Sequence, residues 1–123
     1  MRKRENAIPT VNLKAGGPSA DEAMIALHAA IAGALSAGEP AIKVIHGYGS
    51  VSGVCAIKNA VLGELEERKA GNQIVCYVRG ENFETFDKTT QEICAVCPGI
   101  GKDCDYGRGN PGITVVLLRR EPF

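Results

Sequence analysis

Apolar and polar positions repeat with two different periods along this chain, and each period predicts an element. Thr10-Val11-Asn12-Leu13-Lys14 alternates strictly, which predicts a short strand carrying Asn12 and Lys14 on one face. Ala15-Gly16-Gly17-Pro18 breaks that strand. From Ser19 the spacing changes to three and four, with Ala20, Met24, Leu27, Ile31, Ala34 and Leu35 forming one stripe of a helix. Ser19-Ala20-Asp21-Glu22 has the form of a capping box, and Gly38 and Pro40 supply a stop. An apolar run over residues 41–46, ending at His46, predicts a buried strand. The chain then crosses Gly47 and Gly49 and passes Ser50 into a second helical pattern over residues 51–69. Val54, Ile57, Val61, Leu62 and Leu65 form its stripe, Ser50 or Ser52 can cap it, and Gly71 marks its end.

Gln73-Ile74-Val75-Cys76-Tyr77-Val78-Arg79 predicts a third strand. Ile113-Thr114-Val115-Val116-Leu117-Leu118 predicts a last one, and its near-continuous apolarity implies burial on both faces. The interval 80–112 is too long for a structureless link inside a compact domain. A short helix is expected over 86–97, opened by Thr85 or Asp87 and closed by Pro98, with Phe83, Phe86 and Ile93 tying it to the core. Turn chemistry fills the remainder. The fold class is therefore α/β, in the order β-α-β-α-β-(short α)-β. One domain is expected over 10–119, enlarged at 80–112, between a flexible basic tail at 1–9 and a short tail at 120–123.

Composition narrows this only slightly. A chain of 123 residues with 45% hydrophobic and 23% charged residues suits one soluble globular domain. No run approaches the ~20 apolar residues of a membrane helix, and no apolar stretch follows the basic start, so a cytoplasmic protein without a signal peptide is expected. Its five cysteines would then be mostly reduced thiols. A net charge of zero neither supports nor excludes nucleic acid, because local clustering decides that. Basic residues cluster at 2–4 and at Arg119-Arg120, and three Phe, three Tyr and no Trp leave few platforms for stacked bases.

The strand–loop–helix junction at His46-Gly47-Tyr48-Gly49-Ser50 carries the most chemistry. Backbone N–H groups at such a junction form a natural seat for phosphate, whereas the plainer reading is a tight turn with His46 at the strand edge. A right-handed β-α-β crossover makes the first two strands parallel, so their ends share one rim. Lys14 and the Gly16-Gly17 loop should then lie beside His46, where open α/β sheets usually bind ligands. His28 borders the first helical stripe and reads as structural. Cys94-Ala95-Val96-Cys97 and Cys104, with Cys76 as a fourth ligand, form a weak alternative as a zinc site; small buried apolar residues are the simpler reading, for Cys55 as well.

Three stretches together resemble the Smr (small MutS-related) domain family: Ile45-His46-Gly47-Tyr48-Gly49-Ser50, the first β-α unit with Asp21-Glu22-Ala23, and Gly109-Asn110-Pro111-Gly112-Ile113-Thr114-Val115-Val116-Leu117. The resemblance covers about residues 10–119. It implies a two-layer α/β sandwich like the C-terminal domain of translation initiation factor three, nucleic-acid binding in DNA repair or RNA metabolism, and in several members nicking or RNA cleavage. In active members the first strand ends Leu-Asp-x-His-Gly, whose Asp and His are tied to cleavage. Here Asn12 and Lys14 occupy those positions. An amide cannot hold a metal ion as an anion, and lysine, with an ordinary pKa near ~10.4, is a poor base at neutral pH but a good phosphate contact.

The expectation is a retained binding seat with weakened or lost cleavage. Lys14, Gly16, Gly17, His46, Gly47, Tyr48, Gly49, Ser50, Lys58 and Arg108 are the candidate contacts to DNA or RNA, and no cofactor is expected. The alternatives are a nicking endonuclease or RNase with His46 as its catalytic residue and Mg²⁺ or Mn²⁺ as its metal, and a protein-interaction module built on 80–112. No membrane partner is expected, and oligomeric state is left open.

Overall fold

The structure, a computed structural model, describes residues 8–48 and 56–120. Four strands, β1 (Thr10–Asn12), β2 (Ala41–Ile45), β3 (Cys76–Arg79) and β4 (Ile113–Leu117), form one sheet in the order β1-β2-β4-β3. β1 and β2 run parallel, pairing Thr10 with Lys43 and Asn12 with Ile45. β4 lies antiparallel between β2 and β3. The first three strands thus share a direction, and the last one is inserted against it.

The helices follow the periodicity. α1 (Ala20–Ser36) begins at Ser19, whose hydroxyl accepts from the Glu22 N–H while the Glu22 carboxylate accepts from the Ser19 N–H. These reciprocal bonds satisfy two of the amides that a helix start leaves unpaired. α1 buries Ala23, Leu27, Ile31 and Ala34. α2 (Ala56–Ala70) buries Val61 and Leu65, with Ile57 packed partly beneath them. The predicted Val54, the caps Ser50 and Ser52, and Cys55 lie outside the described residues. α2 ends at Ala70 with Gly71 directly after it, and Asn72, whose φ is 62°, supplies the left-handed turn that follows. α3 (Lys88–Val96) starts at Asp87, which accepts from the Thr90 N–H, and Pro98 then opens a short 3-10 turn, Pro98–Lys102.

Both sheet faces are covered. On one, Leu13, Ile42, Val44 and Val116 pack against the stripes of α1 and α2. On the other, Val78, Ile113, Val115 and Leu117 pack against Phe83, Ile93, Cys97 and Ile100 of the 80–112 segment. All five residues of β4 are buried, because successive side chains enter opposite cores. The two-layer α/β frame therefore carries a second apolar cover supplied by the excursion. Each fully buried Leu, Ile or Phe there stabilises the fold by about 1.5–3 kcal/mol.

Two details of the sequence reading need correction. Phe86 does not anchor the excursion: it is 85% exposed, while Phe83 and Ile93 are fully buried. Phe83 instead meets Tyr106 edge to face at 5.1 Å. β3 is shorter than predicted and starts at Cys76, because Gln73 is drawn into the turn after α2 by its N–H bond to the Arg68 carbonyl.

Candidate functional site

The parallel pairing of β1 and β2 delivers two loops to one rim. The Leu13 N–H donates to the Ile45 carbonyl at 2.7 Å, carrying the ladder one residue beyond β1. Beyond it the Asn12 carboxamide oxygen accepts from the N–H groups of Lys14 and Ala15, and Gly17 N–H donates to the Lys14 carbonyl. This Asx-type turn holds Lys14 exposed at the rim. Gly16 and Gly17 follow it, exposed, with nothing within 4 Å of where a side chain would begin.

Lys14 lies across the second loop. A Cβ on Gly47 would stand 3.1 Å from the Lys14 Cδ, so the lysine stem occupies the space that a side chain there would need. Gly47 also has a φ of 70°, which ordinary residues rarely adopt. Lys14 thus packs against Gly47 of the second loop. The expected convergence of its amine with the His46 imidazole at an open rim does not occur, because that imidazole is buried with both ring nitrogens bonded inside the fold.

A third loop completes the rim. The N–H groups of His46 and Gly47 both donate to the Gly112 carbonyl, at 2.9 and 3.0 Å. A Cβ on Gly112 would meet the Gly47 Cα at 3.4 Å and the Tyr48 Cδ1 at 3.5 Å. Tyr48 is 53% exposed on that glycine floor. Asn110 fixes the loop from within, since its side-chain oxygen accepts from the Gly112 N–H and its amide donates to Asp105. Asp105 in turn pairs with Lys43 on β2 at 2.6 Å, and Asp103 pairs with the same ammonium at 2.9 Å. Lys43 is 5% exposed, and although burial works against its charge, the two carboxylates outweigh that and hold its pKa above the ordinary value. The ion triad therefore ties the excursion to β2 and positions the rim loop.

His46 is turned inward. It is 3% exposed; one ring nitrogen, Nδ1, lies 2.6 Å from the Gly47 carbonyl, and Nε2 lies 2.8 Å from the Thr114 hydroxyl. A carbonyl can only accept, so Nδ1 carries the proton and Nε2 accepts from Thr114. Burial lowers the His46 pKa, opposed by the Gly47 carbonyl, and the cations Lys58 and Arg79 lower it further against Glu81. The imidazole is a neutral internal strut, with both nitrogens engaged by the fold.

Lys58 is likewise buried, at 7% exposure, and its ammonium meets the Glu81 carboxylate at 2.8 Å. Arg79 reaches the same oxygen at 3.0 Å. Burial would raise the Glu81 carboxyl, but Lys58, the backbone and Arg79 outweigh it and hold the group below the usual range. Lys58 is therefore not presented to solvent as the sequence reading expected; Glu81 already covers it. Arg108 is exposed on the loop leading to Asn110, and Gly49 and Ser50 lie outside the described residues.

The four cysteines do not converge as a zinc site would require. Cys76 and Cys97 are buried and Cys104 is exposed. Among the described residues, the group close enough to share an ion is Asp103, Cys104 and Asp105, and there the Lys43 ammonium bonds both carboxylates. Burial pushes the Cys76 thiol up to about 11 and raises Cys94 and Cys97 as well, which disfavours the thiolates that metal binding or redox exchange needs. His28 is a surface partner of Glu64 at 3.1 Å between α1 and α2.

Sequence reasoning overlooked Thr114, Asn110, Gly112 and Glu81 as parts of the site. The signal for the first three was present: the Gly-x-Thr-x-Val stretch that carried the resemblance is the strand that meets His46. Glu81 had no local signal, because its partners come from β3 and α2.

No family model and no curated protein matches the sequence. Among solved structures, the chain is similar to the Smr domain of Thermus thermophilus MutS2, with a TM-score of 0.56 and 18% identity. The match covers 91% of this chain and 99% of that one. The fold is thus Smr-like, a mixed α/β sheet with the helices on its faces.

Proposed function

We propose that the rim formed by Lys14, Gly16, Gly17, Gly47 and Tyr48 binds the phosphate backbone of DNA or RNA, and that efficient strand cleavage is absent. One observation carries this reading: an exposed lysine laid over a glycine loop at the common end of two parallel strands. A flexible ammonium suits phosphate oxygens, and Gly16 and Gly17 leave open space beside it, while the N–H groups of Gly17 and Gly47 are already given to the Lys14 and Gly112 carbonyls. The Smr-like fold supports the same class of partner.

The arrangement favours binding over catalysis. Asn12, standing where the resembled family has its Asp, accepts two backbone N–H bonds and carries no charge. His46 engages both ring nitrogens inside the protein, so neither is presented to a scissile phosphate. The carboxylate nearest in electrostatic influence, Glu81, is paired with two cations.

The test is fluorescence anisotropy with labelled oligonucleotides over about 50–300 mM salt. Affinity should fall steeply with salt, and Lys14→Ala should weaken binding and flatten the log–log slope by about 0.7–0.9, the share of one phosphate contact. Salt-insensitive binding, or an unchanged slope in the variant, contradicts the proposal. Supercoiled plasmid and structured RNA incubated with Mg²⁺ or Mn²⁺ should remain largely uncut. Robust turnover that disappears in a folded His46→Gln variant would restore the nuclease reading.

A further inference from the structure

We infer that the strand held at this rim is unpaired, with one base stacked on the Tyr48 ring. The inference rests on the nucleic-acid reading above and adds the class of strand that the site accepts. Of the three large apolar side chains exposed among the described residues, Ile25 belongs to α1 and Phe86 precedes α3. Tyr48 stands next to Gly47 and against Gly112, at the rim itself.

The placement suits a nucleotide. Lys14 approaches Gly47 closely enough that a Cβ there would be 3.1 Å from its Cδ, and the Tyr48 ring packs over Gly112, whose Cβ would be 3.4 Å from the Gly47 Cα. A cation and an aromatic ring therefore flank one glycine. A nucleotide likewise carries a charged phosphate and a flat base on one sugar. Both glycines lack the side chain that would lift the ring or push the lysine stem aside. Tyr48 is 53% exposed, with its ring edge at Cδ1 3.5 Å from where a Gly112 Cβ would stand.

Stacking then selects the strand. In a duplex each internal base is covered on both faces by its neighbours, so a protein ring reaches a base face only in single strands, loops or ends. Every base has such a face, so little sequence preference is expected. A lysine ammonium and backbone groups can bond phosphate in either strand and the 2′-hydroxyl in RNA, so single-stranded RNA and DNA are both candidate sources of the base.

The experiment compares wild type, Tyr48→Ala and Tyr48→Phe at one salt concentration. Four probes of about 12 nucleotides, within the span one small domain covers, are single-stranded DNA, the same sequence in RNA, the duplex, and an abasic strand of equal charge. Wild type should prefer the single strands. Tyr48→Ala should weaken them about 5- to 100-fold while leaving the abasic strand unchanged, and Tyr48→Phe should keep most of the affinity. The chain has three Tyr and no Trp, so quenching of tyrosine emission by bound single strands, reduced in Tyr48→Phe, is a second expected sign. A preference between the RNA and DNA arms identifies the source and supports the inference either way. Equal binding of all four probes, steeply dependent on salt and unaffected by Tyr48→Ala, would overturn stacking and leave phosphate binding standing. Wild type that binds none of them at low salt would overturn both.

Discussion

Nε2 of the His46 imidazole lies 2.8 Å from the Thr114 hydroxyl, joining the end of β2 to the second residue of β4 inside the core. Thr114 is fully buried. Thr114→Val keeps the shape but removes the donor and leaves Nε2 without its partner. A loss of about 1–3 kcal/mol is expected, the cost of one unsatisfied buried acceptor. Urea denaturation measures it; an unchanged midpoint would show that the bond contributes nothing.

The same imidazole sets a pH dependence. Burial holds the folded His46 below its ordinary value of 6.5. Between that lowered value and 6.5, the unfolded chain binds a proton that the folded chain refuses, so stability rises with pH. The contribution is complete above 6.5 and is lost as pH falls through the folded value. Urea midpoints should therefore drop as pH falls below 6.5, and a folded His46→Gln variant should show a shallower drop. Identical slopes would count against the assignment.

Gly80 tests the junction where the excursion begins and ends. A Cβ there would stand 1.8 Å from the Asn110 carbonyl oxygen and 2.9 Å from the Ile113 carbonyl oxygen, both backbone atoms that cannot swing aside. Gly80→Ala should destabilise by about 3 kcal/mol, at the upper end of overpacking. It should also disturb Asn110 and Gly112, so polyanion binding should weaken in whatever fraction stays folded. Wild-type stability and affinity together would refute the contact.

Lys43 is the anchor of the second core. Lys43→Ala leaves Asp103 and Asp105 facing each other with their cation gone, and a loss of about 3 kcal/mol or more is expected. Combining Lys43→Met with Asp103→Asn and Asp105→Asn removes the charges together and should recover most of it. Thermal melts decide. Asp105 is held below its ordinary 3.8, because Asn110 and Lys43 outweigh the opposing effect of burial. Its share of stability is present above 3.8 and is lost in stronger acid.

Glu81 covers cations that a phosphate could otherwise use. Glu81→Gln weakens its pairing with Lys58 and Arg79, leaving excess positive charge close to His46. Oligonucleotide affinity should rise and its salt dependence should steepen, by about 0.7–0.9 for each phosphate gained. Unchanged affinity with an unchanged slope would show that this cluster lies out of reach of the strand.

Much of the architecture follows from local chemistry written along the chain. The three-to-four spacing from Ala20 to Leu35, the Ser19–Glu22 box and the doubly apolar β4 each depend on near neighbours and the period of one element. The rim was legible too, because one crossover makes β1 and β2 parallel and brings Lys14 to Gly47. What the chain could not announce was the inward turn of His46, the capture of Lys58 by Glu81, and the exposure of Phe86. Those outcomes depend on which side chain from a distant segment arrives first within bonding range. Only the insertion of β4 between β2 and β3, and the return of the excursion over the far face, decided that. Periodicity assigns a residue to a face; tertiary packing decides whether that face meets water, an ion or another core.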